Sequence, residues 1–158
     1  MKYVTFAIVM VALGFCSAAP AQELSQHDQI HIAVQEICPV SGQKLGDHGA
    51  PLKVKIGEEA LFVCCRGCLQ GKQVSPQHWA TIHANFAKAQ RICPIMKKEL
   101  PANPKWTVVE GQIVYVCCPP CTEKIAAEPQ KFIQQIDELY LASLRAQQTA
   151  RVTERVAR

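Results

Sequence analysis

The chain has 158 residues, a net charge of +4, nine cysteines and only 6% aromatic residues. Its acidic and basic residues are interspersed, and this pattern gives no support to a nucleic-acid-binding or membrane-binding surface. It contains no Ser/His/Asp set, no paired catalytic carboxylates and no glycine-rich phosphate loop, so we expect a protein that is not an enzyme.

Residues 1–21 have the features of a secretory signal peptide. Lys2 precedes an apolar stretch from Val4 to Phe15, and Ala19-Pro20-Ala21 supplies the small residues of a cleavage site. The apolar stretch is too short to span a bilayer and no comparable stretch follows it, so we expect no transmembrane segment after cleavage. We therefore predict an exported protein of the periplasm or cell envelope. Lipidation at Cys16 is the alternative, but the bulky residue before it disfavours this reaction.

A four-cysteine pattern occurs twice in the rest of the chain. Each copy begins with an apolar residue, Cys and Pro, and each ends with Val-Cys-Cys-x-x-Cys. The first cysteines are 55 residues apart (38 to 93), and the other three pairs are 53 apart (64 to 117, 65 to 118, 68 to 121), which indicates duplication of one unit. The eight cysteines are Cys38, Cys64, Cys65, Cys68, Cys93, Cys117, Cys118 and Cys121.

The first unit comprises residues 37–86 and follows a lead-in segment. Its predicted elements, with that segment, are a helix in residues 22–36, a turn at Cys38-Pro39-Val40-Ser41-Gly42, strands at Pro51 to Ile56 and Ala60 to Val63, and one or two helices from Leu69 to Phe86. Within the last stretch, Pro76 marks a break or the first turn of a new helix, because proline cannot donate the backbone hydrogen bond of a helix interior.

The second unit, residues 92–140, repeats this order. Its predicted elements are strands at Trp106-Thr107-Val108-Val109 and Gln112-Ile113-Val114-Tyr115-Val116, a helix from Thr122 to Ala127, and a helix that begins near Glu128-Pro129-Gln130. The last segment, residues 141–158, reads as a basic tail that is helical or disordered. The fold class predicted by this order is α+β, with two tandem hairpin-plus-helix units and a C-terminal helix.

The repeated thiols favour metal capture over catalysis, because thiolates are the softest ligands that a protein offers. We expect the turn cysteine of each unit to meet the cysteines at the strand end. The last cysteine, Cys68 or Cys121, should lie in the first turn of a helix, where free backbone N–H groups and the helix dipole lower a thiol pKa. Which member of each adjacent pair binds stays open, since neighbours on a strand point to opposite faces.

These motifs resemble those of the small heavy-metal-binding modules called TRASH and YHS domains. The matching segments are Cys38-Pro39-Val40-Ser41-Gly42, Phe62-Val63-Cys64-Cys65-Arg66-Gly67-Cys68 and Ser75-Pro76-Gln77-His78-Trp79 in the first copy, and Cys93-Pro94, Tyr115-Val116-Cys117-Cys118-Pro119-Pro120-Cys121 and Glu128-Pro129-Gln130-Lys131-Phe132 in the second. The resemblance implies treble-clef-like modules that sense, sequester or deliver metal and have no reaction of their own. It places the metal ligands at Cys38, Cys64 and Cys68, and at Cys93, Cys117 and Cys121.

The chain departs from that family pattern at two places in each copy. Many relatives have a second turn cysteine where this chain has Ser41 and Met96, and they often lack the second adjacent cysteine, which here is Cys65 or Cys118. These additional thiols could complete a four-sulfur zinc site, whereas three sulfurs, or two with the Met96 thioether, suit Cu(I) or another soft ion. We therefore expect about one Cu(I) or Zn(II) ion per unit, with a metal-transport or metal-sensing protein as a candidate partner.

Two other functions compete with metal capture. In an oxidising compartment the eight cysteines could form disulfides that stabilise a structural or interaction module, although a bridge between adjacent cysteines is strained. A thiol–disulfide oxidoreductase would use Cys65 with Cys68 or Cys118 with Cys121, in the CxxC spacing. A unit of about 50 residues, however, is too short for a thioredoxin-like fold, which needs a βαβ unit and further strands.

Two histidines lie outside both cysteine patterns. His27 and His31 are one helical turn apart and could bind a metal together. No third ligand is near them in the sequence, so we expect a solvated pair.

Overall fold

A computed structural model describes residues 24–70 and 73–156 of the chain. The predicted signal peptide in residues 1–21, including Cys16, lies outside the described residues. Among the helices that are described, none is both long enough and apolar enough to cross a membrane.

The described residues form helices and two separate antiparallel hairpins, in agreement with the predicted α+β class. In chain order the elements are α1 (Gln26–Gln35), β1 (Leu52–Ile56), β2 (Glu59–Val63), a short 3-10 helix (Arg66–Cys68), α2 (Pro76–Gln90), β3 (Lys105–Val109), β4 (Gln112–Val116), α3 (Pro120–Ala127) and α4 (Pro129–Val156). The last helix is continuous, so the segment predicted as a tail extends α4 as far as Val156.

Both hairpins close through two-residue turns that the sequence encodes with glycine. Leu52 pairs with Val63 at the open end of the first hairpin, and Lys105 pairs with Val116 at the open end of the second. In the second turn, Glu110 and Gly111 have φ values of 51° and 88°, which is the left-handed conformation that a tight hairpin turn requires. The strand β4 is buried along its whole length and forms the centre of the larger core.

The helix that follows the first hairpin begins later and ends later than predicted. We expected helical structure from Leu69 to Phe86, but α2 begins only at Pro76 and continues to Gln90. Pro76 occupies the first turn, where its fixed φ suits a helix and its missing N–H costs nothing. Arg91 ends the helix with a φ of 53°.

A buried glutamine joins each hairpin to the end of the preceding helix. The side-chain amide of Gln35, at the end of α1, donates to the carbonyl oxygen of Phe62 (2.7 Å) and accepts from the Phe62 N–H (2.8 Å). Gln90, at the end of α2, makes the same pair of bonds with the backbone of Tyr115, at 2.6 Å and 2.8 Å. These bonds satisfy backbone groups that the two-stranded sheets would otherwise leave buried and unpaired.

The helix α2 belongs to both copies of the repeat. Its first residue, Pro76, corresponds to Pro129 at the start of α4, while its last residue, Gln90, corresponds to Gln35 at the end of α1. Its buried face, which includes Ile82 and Phe86, packs in one core with residues of both hairpins and of α1 and α4. The two units therefore share a core, which is larger than either sequence of about 50 residues could bury alone.

Replacing Gln90 with Ala should destabilise the protein by about 2–4 kcal/mol, because the N–H and carbonyl groups of Tyr115 would stay buried without partners. Urea denaturation of the metal-free, reduced protein measures this loss. The control is Gln148→Ala on the exposed face of α4, which should change stability by no more than about 0.5 kcal/mol. Equal urea midpoints for the two variants would contradict the role given to Gln90.

Candidate metal centres

The cysteine at the start of each unit lies in a tight turn that the backbone holds closed. In the first unit the N–H of Cys38 donates to Gln43 O (2.8 Å), and the N–H of Gly42 donates to Cys38 O (2.9 Å). Gly42 has a φ of +71°, and the ring of His78 lies so close that an added Cβ would come within 2.5 Å of Nε2. The positive φ therefore favours glycine at this position, and a side chain there would have to displace the His78 ring.

The second unit repeats this turn with different side chains. The N–H of Cys93 donates to Lys98 O (2.8 Å), and the N–H of Lys97 donates to Cys93 O (2.9 Å). Lys97 replaces the glycine and keeps a positive φ of 54°. The same backbone bonds thus fix both turn cysteines, although the residues around them differ.

In the first unit the turn cysteine meets two cysteines from the strand end. The Sγ atoms of Cys38, Cys64 and Cys68 all lie within 4.8 Å of one another, and those of Cys64 and Cys68 are 3.6 Å apart. All three side chains are buried. The sulfur of Cys65 lies 3.9 Å from both Cys64 and Cys68, at the partly exposed side of the cluster.

The second unit assembles the equivalent group. The Sγ atoms of Cys93, Cys117 and Cys121 lie within 4.8 Å of one another, with 4.0 Å between Cys93 and Cys121. Cys118 is again the neighbour outside this triad, at 3.8 Å from Cys117 and 3.1 Å from Cys121. The side chain of Met96 is half exposed on the turn.

The spacing of these sulfurs matches that of ligands around one ion. Four sulfurs bound tetrahedrally at about 2.3 Å from a zinc ion are about 3.8 Å from each other. Five of the six Sγ–Sγ distances given above lie between 3.6 and 4.0 Å, and the sixth, between Cys118 and Cys121, is 3.1 Å. All eight of these cysteines are free thiols. Both groups could therefore hold a metal ion, with Cys64 and Cys117 as the members of the adjacent pairs that face the turn cysteine.

Within each triad the thiol with the lowered pKa is the turn cysteine, which corrects the expectation that the helix would activate the last cysteine. Burial opposes ionisation of Cys38, but hydrogen bonds from the Ser41 hydroxyl, which also lies 3.4 Å from Cys64 Sγ, and from backbone N–H groups outweigh it and lower the pKa to about 6. Burial, together with the neighbouring thiols, raises the pKa of Cys68 to about 12, and that of Cys121 equally. Cys68 ends a three-residue 3-10 helix, which is too short to supply the expected dipole. Cys121 does lie in the first turn of α3, as predicted, but burial and the neighbouring thiols outweigh the helix there.

In the second triad the turn cysteine is again the thiol with the lowered pKa, although no hydroxyl group stabilises its thiolate. Burial of Cys93 is again outweighed by backbone N–H donors, those of Met96 and Cys117 among them, and its pKa is lowered. The pKa of Cys117 is raised, first by burial and then by the neighbouring thiols. Each triad thus combines a turn sulfur whose pKa is lowered with two sulfurs whose pKa is raised, while hydrogen bonds lower the pKa of the neighbouring Cys65 and Cys118 as well.

A third group of metal-ligating side chains lies away from the cysteines. The carboxylate of Asp137, on α4, lies 2.6 Å from Nδ1 of His27 and 3.4 Å from Nε2 of His31. The expectation of a solvated histidine pair is therefore wrong, because His31 is buried and α4 supplies an acidic partner. Sequence reasoning missed this partner since Asp137 lies 110 residues from His27 and outside any local motif.

Comparisons with known proteins gave no match to this chain, whether with protein-family models, with curated proteins or with solved structures. The site has therefore to be interpreted from its own geometry and chemistry.

Replacing Ser41 with Ala should raise the pKa of Cys38, because the hydroxyl group is the strongest of the donors that stabilise the thiolate. In the metal-free, reduced protein, the ultraviolet absorbance of thiolate should show a transition near pH 6 that Cys38→Ser removes and Ser41→Ala moves to higher pH.

The matched control is Met96→Ala in the second unit. Cys93 is stabilised there by the Met96 backbone and not by its side chain, so its titration should not change. A Cys38 transition that stays in place in Ser41→Ala would show that the hydroxyl group does not hold the thiolate.

Proposed function

We propose that this protein is an exported metal-binding protein in which each repeat captures one soft or borderline ion through cysteine thiolates. The observation that carries the proposal is the convergence, in both units, of a turn cysteine with two cysteines that lie 24 to 30 residues further along the chain (38 to 64 and 68; 93 to 117 and 121). Because both copies of the duplication keep this group, it is a property of the repeated unit rather than an accident of one segment.

The chemistry of the group favours an ion as its occupant. Three thiols packed together in the core gain little from each other, since a thiol is only a weak hydrogen-bond donor and acceptor. A bound cation would satisfy all three sulfurs at once and would add binding free energy to the stability of a small fold. Sulfur ligands select Cu(I), Zn(II) or similar ions over hard cations.

The extra cysteine in each unit would set the coordination number. Cys65 and Cys118 are partly exposed and lie next to the buried triads. If they bind, the site has the four sulfurs typical of zinc; if they do not, the three-sulfur site suits Cu(I). In either case they provide thiols at the protein surface, through which an ion could be passed to or from a partner by ligand exchange.

Delivery, sequestration or sensing in the periplasm or cell envelope is the role that we propose for these sites. Its support is the leader-like sequence in residues 1–21 and the resemblance of both units to TRASH and YHS domains. A metal-transport or metal-sensing protein is the partner that this role implies. The protein would carry out no reaction of its own, because its thiols bind the ion and the sequence holds no set of groups for acid–base or nucleophilic catalysis.

Thiol–disulfide exchange is the second candidate, and one distance favours it. The sulfurs of Cys118 and Cys121 are 3.1 Å apart, closer than any other described pair, and they have the CxxC spacing of redox proteins. Such a disulfide would remove Cys121 from the proposed triad. Counting alkylated thiols by mass spectrometry in freshly purified protein separates the two: metal sites protect up to eight thiols until a chelator is added, whereas a disulfide leaves fewer thiols to count.

The two cysteine groups of the reduced protein should together take up about two equivalents of Cu(I) or Zn(II), and Cys38→Ser with Cys93→Ser should abolish the uptake at these two groups. The turn cysteines are the triad members whose pKa is lowered, that of Cys38 to about 6, so they are the triad ligands most readily present as thiolates. Equilibrium dialysis with metal analysis gives the stoichiometry.

The matched control is Cys65→Ser with Cys118→Ser, which removes the same number of thiols but leaves both triads complete. This variant should still bind about two ions, with a lower affinity only where the fourth sulfur is a ligand. Full uptake by the Cys38→Ser, Cys93→Ser variant would refute the proposed ligands.

A further inference from the structure

We propose that His27, His31 and Asp137 form an additional metal site, for a borderline divalent ion such as Zn(II), which is chemically distinct from the two thiolate sites. The two histidines lie on one face of α1, and the carboxylate reaches them from α4. The ligand atoms of all three residues lie within 4.8 Å of one another. Two imidazoles and a carboxylate are the ligand set of many three-ligand zinc sites, in which water fills the remaining position.

The strongest indication is a buried nitrogen that has no hydrogen-bond partner. The side chain of His31 is only 5% exposed, and its Nε2 makes no hydrogen bond in the described structure. The nearest carboxylate oxygen, Oδ1 of Asp137, is 3.4 Å away, beyond the usual length of an N–H···O bond. Leaving a buried polar atom unpaired destabilises a protein, so such an atom directed at a carboxylate indicates an occupant between them.

The separations fit an ion after a small movement. Two ligand atoms at about 2.1 Å from a tetrahedral zinc ion are about 3.4 Å apart, which equals the distance between His31 and Asp137. His27 and Asp137 are closer, at 2.6 Å, because they share a hydrogen bond. An ion bound to Nδ1 would take the place of that hydrogen bond, with the His27 ring in the tautomer protonated on Nε2. His27 lies in the first turn of α1 with its side chain 34% exposed, and it can move outward by the fraction of an ångström required.

The charges of the site are suited to a cation. Burial alone would raise the pKa of Asp137, but the hydrogen bond from His27 and the nearby ring of His31 outweigh it and lower the pKa to about 2. Burial lowers the pKa of His31, so its ring is neutral and has a lone pair to donate. The Gln112 amide donates to Oδ1 of Asp137 at 3.3 Å and so helps to orient the carboxylate. Lys53 also borders the pocket that His27 and His31 line, but its ammonium group forms an ion pair with the Asp28 carboxylate at 2.7 Å.

Comparison with the duplicated half shows that these residues are not needed to build the repeat. His27 and His31 correspond, 55 residues later, to Ile82 and Phe86 of α2, which are both buried apolar residues of the core. Asp137 corresponds, 53 residues earlier, to Ala84. All three equivalent residues lie on α2, where Ala84 is exposed, so the repeat carries no ligating group at these positions, whereas the contact between α1 and α4 brings three together. Their presence only at this interface favours a ligand over a scaffold role.

The test uses the purified, reduced protein with Zn(II) as the probe and nitrogen NMR of the histidine rings as the readout. Zn(II) should shift the ring signals of His27 and His31 and leave those of His48, an exposed loop histidine, in place. Asp137→Asn keeps the size of the side chain and one oxygen that can accept from the Gln112 amide, but it removes the charge. It should weaken Zn(II) binding at this site at least tenfold. Unmoved His27 and His31 signals, or unchanged affinity in Asp137→Asn, would overturn the proposal.

Two variants keep the outcome independent of folding and of the thiolate sites. His27→Asn changes a partly exposed residue at the helix start, and it should bind one equivalent of Zn(II) less than His48→Asn, the matched control. In Cys38→Ser with Cys93→Ser, the ring signals of His27 and His31 should still respond to Zn(II), even if the thiolate sites proved not to bind. A full complement of Zn(II) in His27→Asn would show that these three residues form only a structural tie between α1 and α4.

Discussion

The cysteine group of each unit depends on the pair of hydrogen bonds between a buried glutamine and one residue of the hairpin. Gln35 lies three residues before Cys38, and its partner Phe62 lies two residues before Cys64. Because both bonds are made to the same residue, they fix the chain that enters the turn against the strand that leaves the hairpin. The distance between the turn sulfur and the strand-end sulfur follows from this register. The sulfurs converge because a side-chain amide, and not a third strand, aligns the two segments.

This arrangement explains why the duplicated units occur as a joined pair. A hairpin with one helix has too little apolar surface to offset its chain entropy, so each unit needs a second helix. The helix α2 supplies that second helix for the first unit and the glutamine-bearing helix for the second. α4 then closes the second unit and packs against α1 as well. The shared core includes Cys93 and Cys121 of the second unit, whereas the three triad cysteines of the first unit lie in a smaller separate cluster with Phe62 and Val63.

Local patterns in the sequence predicted the strands, the turns and the grouping of cysteines, because glycine, proline and alternating apolar residues act within a few positions of themselves. They did not predict the two glutamines, whose partners are 27 and 25 residues away and leave no periodic signal. The sequence signal that could have identified them is their equivalent position in the two repeats, three residues before Cys38 and Cys93. The pairing of His27 with Asp137 had no sign at all, since it arises only where the first and last helices meet. The thiol with the lowered pKa was predicted at the helix start and lies in the turn for a related reason. The backbone N–H groups that stabilise the Cys38 thiolate come together only in the folded turn.

The distribution of protons over the thiols bears on how the proposed ion would be held. In the metal-free first unit the pKa of Cys38 is about 6, whereas burial and neighbouring thiols raise that of Cys68 to about 12. The turn sulfur can therefore attract a cation at neutral pH while Cys68 still carries its proton. A cation that reaches the cluster must displace that proton before the full ligand set forms, so binding is coupled to proton release. Binding would begin at the ionised turn sulfur and be completed by Cys64 and Cys68 as they lose their protons, and protonation of these two thiols would favour release of the ion to a competing thiol.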